Sequence, residues 1–177
     1  MRLTIWITLA GLVLAVSTAN AQGASEIGGK VALTVLGSVT TIDPDDGEDV
    51  TALILGGTGS YTSESGRFEF AGGLTIVGAF SDIGDAAIYS LTGQARVNTD
   101  PLGPEENLLL YAGGIAGLGI LRGDGNIDSE EGVFGPKVGM EFYLTPRTAI
   151  QVQEALLFDT AGGLSNQLTL GFKFLFD

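Results

Sequence analysis

Seven charged residues lie in stretches where large apolar residues alternate with small or polar ones. They are Lys30, Arg67, Glu69, Arg96, Lys137, Glu141 and Lys173. A charge taken out of water is unfavourable unless it is paired, so the first chemistry this set suggests is a ladder of buried ion pairs. The alternative is a narrow ion path lined by the same groups. With five bases against two acids, such a path would favour anions.

The residues that the chain lacks exclude several kinds of catalysis. There is no histidine and no cysteine. Without an imidazole there is no ordinary base for proton transfer near neutral pH, and without a thiol there is no cysteine nucleophile. We therefore expect no catalytic residues, no cofactor and no enzymatic activity. The formal net charge of −13 also argues against nucleic acid as a partner.

Acidic residues concentrate between the alternating stretches. In the segment 124–131, DGNIDSEE, acidic and amide side chains alternate as they do in calcium loops. An EF-hand requires glycine where Ser129 stands and glutamate where Gly135 stands, so that motif fails. Weak binding of Ca²⁺ or Mg²⁺ at acidic loops stays open, and we expect no dedicated metal site.

Glu154 breaks the pattern of its own stretch. Ile150, Val152, Leu156 and Phe158 share its face under strict alternation, so it falls among apolar residues near mid-strand. A carboxylate in hydrocarbon is unfavourable. Either a bulge turns Glu154 inward to meet a base, or it marks an interface or functional site, or the assumed register is wrong.

The first 21 residues have the layout of a secretory signal peptide. Arg2 precedes an apolar run over residues 3–16, and the small residues Ala19 and Ala21 mark a cleavage site. An uncleaved anchor is the alternative, but the run is shorter than the ~20 residues a spanning helix needs. We expect cleavage after Ala21, which leaves residues 22–177 as one domain outside the cytoplasm.

Beyond the signal peptide the chain is a series of short alternating runs separated by Gly, Asp, Asn, Ser and Pro. The eight runs are 29–41, 50–61, 67–80, 86–97, 108–121, 133–144, 148–158 and 166–176. An even number of long alternating runs, with no helical period, predicts an all-β antiparallel barrel. A soluble eight-stranded barrel of the lipocalin type has the same count and spacing.

The residue types on the two faces of the runs distinguish a membrane barrel from a soluble one. The basic residues of the runs all fall on the less apolar face, and that face is otherwise rich in Gly, Ala, Ser and Thr. The opposite face carries large aliphatic and aromatic residues. Small side chains inside and large ones outside suit an eight-stranded membrane barrel, whose lumen is filled by side chains. The sequence thus predicts a closed, up-and-down transmembrane β-barrel of eight strands.

These features resemble the small outer-membrane barrels of Gram-negative bacteria, the OmpA-like and OmpX-like group. The ending QLTLGFKFLFD resembles the strand that the outer-membrane assembly machinery recognises in that group, and its alternating residues are Leu168, Leu170, Phe172, Phe174 and Phe176. The segment 139–152, GMEFYLTPRTAIQV, is similar to the family's sixth strand, Thr-Pro turn and seventh strand. The resemblance implies location in the outer membrane, contact with lipid and lipopolysaccharide, and periplasmic chain termini.

A structural or surface-interaction role without catalysis agrees best with these features. One alternative is a narrow pore or an OmpW-like conduit for small solutes. Another is a soluble periplasmic, lipocalin-like binding barrel.

Overall fold

The computed structural model describes residues 27–42, 50–81, 84–123, 126–160, 162 and 164–177. The predicted signal peptide lies outside these residues. Eight antiparallel strands pair in chain order, and the last pairs with the first to close a barrel. They are β1 (Val31–Ile42), β2 (Val50–Thr62), β3 (Phe68–Ser81), β4 (Gly84–Asn98), β5 (Leu108–Gly123), β6 (Asn126–Thr145), β7 (Thr148–Asp159) and β8 (Leu164–Phe176).

The barrel has two ends, which differ in their connections. Residue 27, the start of the described chain, and Asp177 lie at what we call the terminal end, with the turns 63–67, 99–107 and 146–147. The segments 43–49, 82–83, 124–125 and 160–163 connect strands at the opposite, distal end. The predicted strand order, antiparallel pairing and closure are confirmed, as is the tight turn at Pro146 between β6 and β7.

The β5–β6 hairpin is longer than predicted. The predicted runs 108–121 and 133–144 leave residues 122–132 as a loop between them, but β5 continues to Gly123 and β6, with 20 residues, begins at Asn126. The ladder continues to the pairs Arg122–Ile127 and Gly123–Asn126 after a register shift at Leu121. Backbone pairing therefore overrides the acidic composition that predicted a loop.

Alternation puts the polar side chains inside and the apolar ones outside. Leu74 of β3, Leu91 of β4 and Leu118 of β5 are cross-strand neighbours on the outer face, and each is at least 60% exposed. Interior residues include the fully buried Lys173 and Glu141. A soluble barrel would require the opposite distribution, so the lipocalin-like alternative is wrong and the outer face is the one that suits lipid. Among the described residues, no helix is long and apolar enough to cross a bilayer.

Aromatic side chains on the outer face gather towards the two ends of the barrel. Near the terminal end they are Tyr61, Phe68, Phe70, Phe174 and Phe176. Towards the distal end, Phe134 and Phe158 stack with ring centroids 5.9 Å apart, and Tyr89 is also exposed. Two aromatic bands flanking an aliphatic belt are the usual arrangement of a barrel in a bilayer.

Candidate functional site: the charged interior of the barrel

Four charged side chains meet in the half of the lumen nearest the terminal end. They come from four strands: Glu69 from β3, Arg96 from β4, Glu141 from β6 and Lys173 from β8. Each faces inward because it occupies the same alternation phase as the small residues of its strand. Glu69 and Arg96 are direct cross-strand partners. Glu141 and Lys173 reach them across the lumen, and we call the four residues the interior quartet.

Each carboxylate of the interior quartet contacts both cations. Arg96 Nη2 lies 2.7 Å from Glu69 Oε2 and 2.6 Å from Glu141 Oε1. Lys173 Nζ lies 2.6 Å from Glu69 Oε2 and 3.1 Å from Glu141 Oε1. Two anions and two cations alternate around the group, so its formal charge is zero. Such mutual pairing is what charges require in a space that excludes most water.

Neutral groups complete the surroundings of the interior quartet. The Tyr143 hydroxyl donates to Glu141 Oε2 at 2.8 Å, and the Thr62 hydroxyl donates to Glu69 Oε2 at 3.2 Å. The Arg96 guanidinium lies over the Tyr111 ring, with Cζ 4.0 Å from the ring centroid. This cation–π contact holds the guanidinium plane on one side while the carboxylates take its N–H groups on the other.

A second polar group lies next to the quartet. Gln151 Nε2 donates to the Tyr111 hydroxyl and to Gln153 Oε1, both at 2.8 Å. Lys137 also faces inward, donates to Gln94 Oε1, and has its Nζ 5.6 Å from the Tyr111 ring centroid. Tyr111 thus joins the charged quartet to the neutral amides, and side chains fill this section of the lumen.

Two of the seven predicted lumen charges lie elsewhere. Placing Arg67 in the lumen is wrong, because its side chain is 62% exposed and pairs with Asp100 at 3.3 Å in the turns of the terminal end. It precedes the first residue of β3, so the alternation of the strand does not govern it. Lys30 lies at the rim of the same end, where its Nζ is 3.5 Å from Asp177 Oδ1.

Asp177, which follows the last aromatic residue, joins three parts of the terminal rim. Besides Lys30, which precedes β1, it accepts a hydrogen bond from Arg147 Nη2 in the turn between β6 and β7 at 2.5 Å. The backbone of Leu175 also donates to the Arg147 carbonyl oxygen at 2.8 Å. The end of β8 is therefore tied to both of its neighbouring strands.

The alternating residues of β8 lie on the predicted faces. Leu168, Phe172, Phe174 and Phe176 are exposed on the outside, Leu170 is half-buried, and Lys173 points into the lumen.

The inward bulge predicted for Glu154 is wrong. The β6–β7 register stays constant through the pair Val138–Glu154, and the Glu154 side chain is exposed on the outer face. Asn166 of β8 donates to Glu154 Oε1 at 3.0 Å. A carboxylate on the lipid-facing surface is thus held by an amide and not by a lumen base.

Metal ligands do not converge in the described part of the chain. No group of three or more Asp and Glu side chains there is arranged to hold a metal ion. Most of the segment 124–131 forms strand: residues 126, 127 and 129–131 pair with β5, and Asp128 lies at the register shift. The acidic segment 43–49 and Asp124 lie outside the described residues.

Gly139 allows the Tyr111 ring to occupy its place in the lumen. A Cβ added at Gly139, the cross-strand partner of Tyr111, would lie 2.4 Å from the ring carbon Cζ and from the hydroxyl oxygen. The Gly139→Ala variant therefore has to displace the ring from Arg96 and Gln151, and also to shift the Val152 carbonyl oxygen, which would lie 2.5 Å from the new Cβ. We expect it to lower the free energy of unfolding by about 1–3 kcal/mol, measured by urea titration in lipid vesicles.

The matched control is Gly59→Ala on β2, where an added Cβ meets no atom within 4 Å. It should change stability by less than about 0.5 kcal/mol. Equal effects of the two variants would contradict the close packing of Tyr111 on Gly139.

Comparison with solved structures places this geometry among known folds. The first, at a TM-score of 0.60 and 14% identity, is Neisserial surface protein A, of which 95% aligns with 83% of this chain. The Yersinia pestis attachment invasion locus protein Ail gives 0.52 and 14% over 99% of its length and 84% of this chain. The N-terminal barrel domain of Pseudomonas aeruginosa OprF gives 0.50 and 18% over 98% and 84%.

No protein-family model matches the sequence, and no curated protein matches it. The likeness is therefore one of architecture: eight antiparallel strands, a closed meander, a polar lumen and an apolar outside. The chain has the fold of the small eight-stranded outer-membrane β-barrels.

Proposed function

We propose that this protein is a structural, surface-interacting barrel of the Gram-negative outer membrane, without catalysis and without a conducting pore. The observation that supports the proposal is the interior quartet, in which all four charges are paired with one another across the lumen. A path for ions needs groups that can exchange a bound ion, whereas these charges already satisfy one another. The lack of histidine and cysteine supports a non-catalytic role.

The decisive experiment is current recording across planar bilayers containing the full chain purified from outer membranes. We expect a silent membrane, while the same sample shows a heat-modifiable band that reports a folded barrel. Steady single-channel currents, particularly anion-selective ones, would instead support the pore alternative. Recovery of the protein from the soluble periplasm would overturn the membrane assignment.

The barrel would reach the outer membrane through its first and last segments. Residues 1–21 would serve as a cleaved signal peptide, and β8 would present Leu168, Leu170, Phe172, Phe174 and Phe176 to the assembly machinery. Four of the five, all but the half-buried Leu170, are exposed on the outer face, which supports that role. The apolar belt would contact lipid, and the distal end would contact lipopolysaccharide.

The charge of the distal end indicates what kind of partner the surface would accept. Glu130, Glu131 and Asp159 lie at this end of β6 and β7, and the sequence between β1 and β2 contributes Asp43, Asp45, Asp46, Glu48 and Asp49. Ail has been solved in complex with the heparin analogue sucrose octasulfate. The acidic residues here disfavour such a polyanion and suit cationic partners, or anionic ones bridged by Ca²⁺ or Mg²⁺.

A further inference from the structure

The wall of the barrel is incompletely paired between its first and last strands. The β1–β8 register consists of seven pairs, from Val31–Phe176 to Gly37–Leu170. Both strands continue towards the distal end, β1 paired with β2 as far as Ile42 and β8 paired with β7 as far as Leu164. Within the described residues, the segments 38–42 and 164–169 are thus not paired with each other. We call this opening in the wall the distal notch.

Polar atoms lie on both sides of the wall at the distal notch. At its base the Ser38 hydroxyl donates to the Leu168 carbonyl oxygen at 2.5 Å, a side-chain bond where the backbone ladder has ended. Thr169, next along β8, is 5% exposed and its Oγ1 has no hydrogen-bond partner in the described structure. On the outer surface, Asn166 and Glu154 form the 3.0 Å hydrogen bond described above.

The charge of Glu154 is uncompensated within the described part of the chain. Its hydrogen bond there is to the neutral amide of Asn166, and no basic side chain forms a salt bridge with it. A carboxylate on a lipid-facing surface is unfavourable by itself, and a cation at the same depth in the membrane would stabilise it. The exposed basic residues whose surroundings are described, Arg67 and Arg147, lie at the terminal end. In a second barrel lying parallel to the first, these two residues would therefore not reach the depth of Glu154.

Apolar side chains flank the distal notch along the outer face. Leu168 and Phe172 of β8, Leu156 and Phe158 of β7, and Val35 of β1 are all exposed there. An acyl chain lying along this surface would meet a continuous hydrocarbon wall. The polar atoms and the apolar wall together match the two parts of an amphiphile.

We propose that the distal notch binds an amphiphile whose head group carries a primary ammonium. An ammonium has three donors and no acceptor, and the outer side of the notch offers acceptors: the Glu154 carboxylate and carbonyl groups beyond the end of the ladder. Glu154 would repel an anionic head group such as a phosphate. Occupancy would also give hydrogen-bond partners to free carbonyl groups of the strand edges, which are unfavourable in hydrocarbon. The site lies in the wall and does not depend on whether the lumen conducts.

The test is NMR titration of the folded, isotopically labelled full-length barrel in neutral detergent, with dodecylamine as the probe. We expect saturable shifts of the backbone amides of Ser38, Asn166 and Thr169. Butylamine has the head group without the chain, and dodecyl phosphate has the chain with an anionic head. Butylamine should bind about tenfold more weakly or worse, and dodecyl phosphate should produce no saturable shift.

The variant Glu154→Gln should weaken dodecylamine binding about tenfold, the loss expected for one charge-assisted hydrogen bond. It keeps the shape of the side chain and the contact with Asn166. Glu105→Gln, which removes an exposed carboxylate at the terminal end that likewise accepts a hydrogen bond from an asparagine amide, is the matched control and should not alter the affinity. If Glu154→Gln fails to fold, Glu154→Leu, which suits the lipid-facing surface, tests the same carboxylate with the same expected direction.

Several results would overturn the proposal. One is equal binding by wild type and Glu154→Gln, and another is equal binding of butylamine and dodecylamine. A third is amide shifts spread evenly over the outer belt, which would indicate general partitioning. Notch shifts that depend on protein concentration and accompany slower tumbling would assign the notch to a second copy of the chain.

Discussion

Replacement of Glu141 by alanine is expected to lower the free energy of unfolding by about 3–5 kcal/mol, the cost of breaking a buried ion pair from one side. Glu141 is completely buried and contacts Arg96, Lys173 and Tyr143. Its removal leaves two cations facing Glu69 alone in a space with little water. Urea titration in lipid vesicles, followed by the heat-modifiable band on a gel, measures the loss.

The compensated double variant Glu141→Ala with Lys173→Met is the informative companion. It leaves the neutral pair Glu69–Arg96, whose atoms lie 2.7 Å apart. We expect the double variant to be clearly less destabilised than the sum of its two single variants, because each single change leaves an unpaired charge. Arg67→Ala, in an exposed pair at the terminal end, should cost less than about 1 kcal/mol. Additive effects of the Glu141 and Lys173 changes would contradict the interior quartet.

The second large effect is expected on the outside. Leu91 is the central residue of β4 and is 60% exposed, between Leu74 and Leu118 on the neighbouring strands. If this belt lies in the bilayer, Leu91→Arg should lower stability by about 2–4 kcal/mol, the cost of an arginine near the midplane. The same urea titration in vesicles measures it.

The matched control is Leu102→Arg, at an exposed leucine in the turn between β4 and β5. Outside the hydrocarbon the change should cost less than about 1 kcal/mol. In a water-soluble barrel both positions would face solvent, and the two variants would behave alike. A tolerated Leu91→Arg would therefore contradict the membrane-facing belt.

The faces of the strands were predictable because alternation has a period of two residues and the lumen is narrow. Glu69, Glu141 and Lys173 could be assigned to the inside from the small residues that share their phase. Their partners could not be read in this way. Glu69 and Lys173 are 104 residues apart, and their contact depends on how the closed barrel brings β3 opposite β8.

The sequence carried no signal for Tyr111, although it contacts Arg96 and the amides. β5 has apolar or glycine residues on both faces, so alternation does not separate inside from outside there. For Arg67 the pattern was misleading. Alternation along β3 predicts that its side chain faces inward, but Arg67 lies before the first residue of that strand. For Glu154, alternation correctly predicted an outward-facing side chain. The inward bulge, one of the three alternatives considered, does not form.

The interior quartet also bears on the order in which the barrel is completed. Before β8 arrives, Arg96 is the only cation of the quartet that faces Glu69 and Glu141, so the incomplete quartet carries an excess negative charge. Lys173, on the closing strand, brings that charge to zero and contacts both carboxylates. Contacts between distant parts of a chain form late in folding. Lys173 thus acts as a completion check: the two carboxylates of the quartet gain their second cation only when the barrel has closed in its correct register.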